Sequence, residues 1–382
     1  MIETASCHFG LYIHIPFCVK KCNYCDFASI TANKDLQQNY IKALLQEIKT
    51  KSIYFEDKVI DSIYIGGGTP TVLNADLIYL LCNSLPIFFN LSDNLEFSIE
   101  VNPGTVTDEL LEVLLKTDIN RVSIGVQSFN DNELELLGRI HNKNIAIDTI
   151  NRLNEHYNLN IDLMFGIPGQ TLATWKETLQ QAIALKPNHI SAYSLIIEEG
   201  TKICSWIENG KIALPDDSIE DEMYLTAVDI LSDAGYVQYE VSNFASDNYM
   251  CKHNIGYWHG DDSLGVGSSA VSYINKLRSK NSDDVNEYIS LINAGISPII
   301  YVERASAKIG LLEEVMLGLR MCNGFNLIEL ENKWQYKLAN ASDKYLRLLS
   351  EGILKLENGN LKLSRENFRF ANNVIVEMMR EL

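Results

Sequence analysis

Between residue 11 and about 200, short β-branched or apolar runs alternate with longer stretches of helical periodicity, and few folds accept that pattern. The runs are Leu11–Ile15, Val59–Ile65, Leu95–Val101, Arg121–Val126, Asn160–Phe165 and His189–Leu195. Amphipathic segments such as Asp35–Lys49 and Asp76–Leu85 separate them, with Asp35 and Asn74 as expected N-caps. Six βα units in series predict an α/β fold, a parallel sheet curled into an incomplete (β/α)6 barrel. Barrel chemistry sits where the strands end. There the sequence carries Cys18, Gly66 to Thr69, Glu100, Asn102, Gln127, Asp162 and Tyr193, which are expected to converge on one mouth.

The rest of the chain reads differently. Residues 1–240 are assigned to the barrel, 241–300 to a connecting region and 301–382 to a C-terminal domain. A helix is expected over Ile219–Ala234, then a Gly-rich segment through Gly256, Gly260, Gly265 and Gly267, then a polar, linker-like Lys276–Asp284. The last part shows helical patterns at Lys308–Met321 and Asp343–Glu351. It continues with a hairpin of Ile353–Leu356 and Leu361–Leu363 joined through Asn358–Gly359, and a final helix Arg365–Leu382. Helices followed by a small hairpin suggest a winged-helix-like α+β module. Residues 301–382 hold 12 basic and 11 acidic side chains, so the module lacks the basic face that DNA contact needs.

Charge excludes more. The 382 residues carry 50 acidic against 32 basic side chains, a formal net charge of −18, which repels nucleic acid and anionic lipid. The chain shows neither a secretion signal nor an apolar run long enough to span a membrane, so a cytoplasmic protein is expected.

Directly after the first apolar run, Cys18-Val-Lys-Lys-Cys22-Asn-Tyr-Cys25 puts three thiols in one short loop. Thiolate is the ligand that iron–sulfur clusters require, and three ligands leave one iron of a [4Fe–4S] cluster open. A zinc site completed by His14 or His8 is the competing reading. Zinc ligands usually come in two paired blocks, and no second block matches here. Attachment of a c-type heme is excluded because Asp26 follows Cys25 where a histidine is required. Cys7, Cys82, Cys204, Cys251 and Cys322 are scattered, which fits a reducing compartment better than a disulfide framework.

The C-x3-C-x2-C spacing, with Tyr24 before the last cysteine, resembles the signature of radical S-adenosylmethionine (SAM) proteins. The flanking Tyr12-Ile-His14-Ile-Pro16-Phe17 and Asp26-Phe27 resemble its HemN/HemW branch, the oxygen-independent coproporphyrinogen oxidases and their heme-chaperone relatives. Further matching segments are Gly66-Gly-Gly-Thr69-Pro70-Thr71, Glu100-Val-Asn102-Pro103, Gly125-Val-Gln127-Ser-Phe129, Gly138-Arg139 and Asp162 through Thr171, so the resemblance covers almost the whole chain. It implies a radical SAM barrel with the cluster on Cys18, Cys22 and Cys25. It carries SAM contact onto Tyr12, Tyr24, Gly67, Gly68, Thr69, Glu100, Gln127, Arg139 and Asp162.

The residue types suit that cofactor. A glycine turn lets the backbone approach closely and offers N–H groups to a carboxylate or carbonyls to an amine. Glu100 and Asp162 suit ribose hydroxyls or the amino group, and Arg139 suits a bidentate carboxylate clamp. A plain turn, strand-end caps and surface ion pairs are the structural alternatives.

Two functions compete within the resemblance. The oxidases carry a fourth cysteine two positions after the third, and here that position is Phe27, as in the chaperones. His253-Asn254-Ile-Gly-Tyr257-Trp258 resembles the chaperones' HNxxYW heme-binding motif. A neutral imidazole ligates heme iron and flat aromatic rings cover a porphyrin. A satisfied, partly buried histidine is the plain alternative, and Cys251 is a second axial or covalent partner. His141, His156, His189 and His259 are read as structural or surface. The resemblance thus implies a heme chaperone with a [4Fe–4S] cluster, SAM and heme, handing heme to an acceptor such as a respiratory cytochrome. Coproporphyrinogen III oxidase is the alternative. No residue is assigned a catalytic role, and pairing of two copies is left open.

Overall fold

A computed structural model of the chain describes residues 8–379, so Cys7 and the last three residues of the expected final helix lie outside the described residues. The six apolar runs form β1 (Phe9–Ile15), β2 (Val59–Gly67), β3 (Asn90–Val101), β4 (Arg121–Gln127), β5 (Asn158–Phe165) and β6 (His189–Ser194). They lie side by side in chain order, each parallel to the next. Alternation explains the packing. Leu11, Ile13 and Ile15, then Ile63 and Ile65, then Val122, Ile124 and Val126 are buried in one apolar core with Tyr40, Ile41, Leu44 and Leu81 from the flanking helices.

The sheet continues at both edges. β7 (Val237–Gln238) and β8 (Asn243–Ala245) extend it antiparallel beyond β6. β9 (Asp262–Val266) pairs parallel with β1, and β10 (Val271–Ile274), β11 (Leu277–Asn281) and β12 (Ile299–Arg304) follow antiparallel. The resulting order, β12-β11-β10-β9-β1-β2-β3-β4-β5-β6-β8-β7, keeps two free edges, so the barrel is open. Residues 241–300, read as a connecting region, therefore contribute strands to the same sheet. The stretch Lys276–Asp284, read as a linker, contains β11. Four of its five side chains are half-buried and the fifth, Asn281, is a buried amide, so polarity hid the strand.

One buried carboxylate fastens this extension to the first helix, Lys34–Ser52. Glu47 is 2% exposed, and its oxygens accept from the Gly267 N–H (2.8 Å), the Tyr288 hydroxyl (2.6 Å), the Asn281 amide (2.7 Å) and Lys51 (2.8 Å). Every lone-pair direction is matched, which is what makes burial of the charge tolerable. The cap of that helix is Asn33, whose side chain accepts from the Leu36 N–H at 2.9 Å. Asp35, expected in that role, lies in the first turn, where it favours the helix dipole. Asn74 caps the helix Ala75–Phe88 as read.

The helices Ala307–Gly318, Leu327–Trp334, Leu338–Ala341 and Lys344–Ser350 enclose a second apolar core with a small sheet of β13 (Phe325–Asn326), β14 (Leu354–Glu357) and β15 (Asn360–Leu363). Asn358 and Gly359 both have positive φ (53° and 86°), the two-residue turn whose twist suits a hairpin. The final helix is tightly wound from Arg365 to Phe370 and regular only over Ala371–Met379. This unit docks on the barrel through backbone bonds from Val241 N to Arg320 O and from Cys322 N to Tyr239 O.

Candidate functional site

The inward faces of β1 to β6 are polar. Residues in lateral register share a face, and the alternate positions read Tyr12 and His14, Ser62 and Tyr64, Glu96, Ser98 and Glu100, Arg121, Ser123 and Gln127, Asn160 and Asp162, His189, Ser191 and Tyr193. A packed barrel fills its lumen with branched apolar side chains. This lumen instead holds two adjacent cavities that share Ser123, Asp162 and Tyr193 as walls.

The first cavity, about 270 Å³, lies at the C-terminal strand ends. Cys18, Cys22, Cys25, Tyr24, Gly67, Gly68, Thr69, Glu100, Gln127, Arg139 and Asp162 all line it. Glu100 accepts from the Tyr64 hydroxyl (3.0 Å) and the Gly67 N–H (3.1 Å). Burial, with Asp162 close by, pushes its pKa up to about 7, against the partial relief those two donors give. Asp162 accepts from Ser123 (3.0 Å) and Asn160 (2.7 Å), and burial raises it too. Tyr193 donates to Gln127 at 2.6 Å, and Gln127 holds a positive φ of 71°, a strained conformation for a residue with a side chain.

The glycines are needed where they stand. A Cβ on Gly67 (φ 112°) would lie 2.6 Å from the His14 ring, and one on Gly68 would lie 2.6 Å from the Phe17 carbonyl. The N–H groups of Gly67, Gly68 and Thr69 are already taken by Glu100, Ile15 O and Phe17 O. Of the two roles open to this turn, the geometry favours carbonyls facing an amine.

The cysteine loop is held from below. Asn23 accepts no freedom of movement: its N–H bonds Leu137 O (2.9 Å), its amide bonds Leu136 O (2.9 Å), and its carbonyl takes the Ile203 N–H. Gly138, at φ 74°, ends the helix Asp131–Leu137, and a Cβ there would lie 2.8 Å from the Asn23 side chain. The next residue, Arg139, donates to Cys22 Sγ at 3.5 Å and to Gly125 O. Its guanidinium supports the sulfur while it also lines the cavity. Its Nε and the hydroxyl of Ser29, both beside the cavity, are buried with no protein partner. The donor set fits an iron–sulfur cluster, since thiols and N–H groups directed at sulfur meet in one cavity. Among the described residues no three His, Cys, Asp or Glu side chains converge on a single-ion site. His8 precedes β1 at its far end and bonds Ser62, and neither His8 nor His14 lines the cavity with the cysteines, so neither completes a zinc site with them.

The second cavity, about 310 Å³, lies toward the N-terminal strand ends, deep along the lumen from the first, and is bordered by the loop around Glu240 to Asn243, the helix Lys252–Trp258 and Arg320. That helix carries the HNxxYW residues and is capped from another strand. Glu96 accepts from the N–H groups of Lys252 (2.9 Å) and His253 (3.0 Å) and from Cys251 Sγ (3.3 Å). Its helical period splits the motif. Asn254 and Trp258 face the cavity, whereas His253 stacks on Tyr64 (5.2 Å) with Nδ1 on Ser62 Oγ (2.8 Å), and Tyr257 is 62% exposed. Burial, helped by His8, lowers the His253 pKa to about 3, so the imidazole is neutral. Cys251 is buried and its thiol is pushed up to about 12, which makes it a poor iron ligand.

Comparison with known proteins gives this arrangement a family. Residues 12–182 match the radical SAM superfamily and residues 307–370 match the HemN C-terminal domain. A heme chaperone HemW of Lactococcus lactis is 34% identical over 371 residues, covering 96% of both chains. A second, from Bacillus subtilis, is 33% identical over 375 residues, covering 97% of this chain and 99% of the relative. This chain belongs to the HemW family of radical SAM proteins. The solved coproporphyrinogen III oxidase (HemN) from Escherichia coli has the same fold, with a TM-score of 0.84 at 24% identity, covering 98% of this chain and 91% of that one. Membership of the radical SAM superfamily implies a [4Fe–4S] cluster and SAM.

Within this HemW-family fold, most of the SAM-contact residues read from sequence share one cavity. Tyr12 does not line it. It stands one layer back, stacked on Tyr64, with its hydroxyl on His14. Arg121, Ser123, Asn160 and Ser191 went unread, and His189, taken as structural or surface, lines the deep cavity, bonded to Asn160 (2.6 Å) and Tyr239 (2.8 Å). The signal that finds them is the alternation itself, since each falls on the inward register of its strand.

Proposed function

We propose that this chain is a heme chaperone that takes up heme at the helix Lys252–Trp258 and passes it to an acceptor protein such as a respiratory cytochrome. The likeness to heme chaperones over the whole chain carries the reading. Phe27 agrees with it: 62% exposed at the rim of the first cavity, it offers no thiol where the oxidases of the branch have their fourth cysteine.

Cys18, Cys22 and Cys25 hold the cluster, and Arg139 steadies the thiolate of Cys22. Tyr24, Gly67, Gly68, Thr69, Glu100, Gln127 and Asp162 surround SAM, with Tyr12 bracing the wall. Cluster and SAM together supply one-electron chemistry when bound. Glu100, with its pKa near 7, becomes an anion facing the ligand's cationic end at neutral pH and above. His253 would ligate the heme iron: Ser62 orients Nδ1, and among the described residues no hydrogen bond engages Nε2. Asn254, Tyr257 and Trp258 flank the porphyrin.

Anaerobically reconstituted protein is expected to take up heme stoichiometrically, with His253→Ala weakening uptake about tenfold or more. Unchanged affinity in His253→Ala, Tyr257→Ala and Trp258→Ala alike would remove the site assignment. Formation of protoporphyrinogen from coproporphyrinogen III with reductant and SAM would establish the oxidase instead.

A further inference from the structure

Two guanidinium groups, Arg121 and Arg320, border the deep cavity beside the carboxyls of Asp162 and Glu240. Arg121 is 4% exposed, and among the described residues its guanidinium gives one hydrogen bond, to Tyr249 O at 3.0 Å, with Glu96 nearby. Arg320 lies 5.6 Å from the centre of the Trp258 ring, and among the described residues its guanidinium makes no hydrogen bond. Three further buried polar atoms lining the same space have no hydrogen-bond partner: Trp258 Nε1, Glu240 Oε2 and Asn243 Oδ1. Buried polar groups are normally paired, and unpaired ones that meet in one cavity mark the place of a missing partner.

The partner's chemistry follows from the donors. Arginine forks and an indole N–H suit a carboxylate, and Trp258, Tyr64 and Tyr193 add aromatic walls. Glu240, fully buried, is raised to about 7, so below neutral pH it stays protonated and its second oxygen offers a further donor. We propose that the deep cavity is a carboxylate pocket in which Arg121 and Arg320, with Trp258 Nε1–H, hold a propionate arm of a tetrapyrrole. This rests on the heme reading above, and it assigns a role to two arginines outside the HNxxYW motif.

Heme and heme dimethyl ester, whose propionates are neutral, separate the pocket from the heme reading. Both are titrated anaerobically into the full chain and into Arg320→Gln and Arg320→Lys. The native chain is expected to prefer heme over its diester by about tenfold, the scale of a charge-assisted hydrogen bond. Arg320→Gln should cut that preference several-fold, weakening heme more than the diester, and Arg320→Lys should keep more of it. Equal affinity for acid and diester in the native chain, or an undiminished preference in folded Arg320→Gln, overturns the pocket and leaves the heme reading intact. Failure of both ligands to bind the native chain overturns both.

Discussion

The two ends of the lumen are built from the same strands and differ in how far their polar groups are satisfied. Toward the C-terminal strand ends lie Glu100, Asp162 and three cysteines beside Arg139, and the two carboxyls already hold protein partners. Toward the other end Arg121 and Arg320 stand with Glu240 and Asn243, and donors and acceptors are left open. On β4 the change takes two residues, from Ser123 to Arg121, one step of the inward register. Carboxyls at one end suit a sulfonium and an amine, arginines with few partners at the other suit a carboxylate, and partition between them needs no separate domain. The apolar reverse faces of the strands stay constant, so the fold tolerates this variation within.

If the ends are independent sites, Cys22→Ala should abolish one and spare the other. Iron and sulfide analysis is expected to show complete loss of the cluster, because two thiolates cannot replace three and the Arg139 contact to Cys22 Sγ goes too. Heme titration of the same sample should give the native affinity. Concerted loss of heme uptake would show that the cavities act as one.

A change at the base should act in reverse. Glu96→Ala removes the group that caps the helix Lys252–Trp258 and leaves two N–H groups without acceptors near the buried charge of Arg121. The expected cost is about 3 kcal/mol in thermal or denaturant unfolding, the scale of two hydrogen bonds to a charged acceptor. Heme uptake should weaken while cluster content holds. A Glu96→Gln variant, which keeps an acceptor oxygen, should recover part of both losses.

Much of this was legible in advance, for physical reasons that differ along the chain. The six strands announce themselves because their outward positions are apolar and β-branched, and Cys18, Cys22 and Cys25 because three thiols in one loop have few other uses. β11 escaped because an antiparallel strand with half-buried sides needs no apolar run. Arg121 and His189 escaped because polar residues at strand starts look like boundaries until the register shows them facing inward. The split of the HNxxYW motif follows from helical period alone once the segment is known to be a helix; composition does not show it. Arg320 could not be placed, since only the docking of the C-terminal unit brings it to the lumen.

The first cavity also sets a pH response, smaller than the effects above. Burial, with Asp162 nearby, raises the Glu100 carboxyl from an ordinary 4.5 to about 7 in the fold. From about 4.5 to 7 the unfolded chain ionises this group while the fold keeps its proton, so it lowers apo-protein stability as pH rises through that window. A bound cation reverses the preference, because it favours the ionised form. SAM affinity measured by calorimetry is therefore expected to rise several-fold from pH 6 to pH 8, and Glu100→Gln should bind more weakly with a flat profile. A pH-independent native affinity would mean that Glu100 supports the wall through Tyr64 and Gly67 without touching the ligand, and the anionic character of this end would then rest on Asp162 and the thiolates.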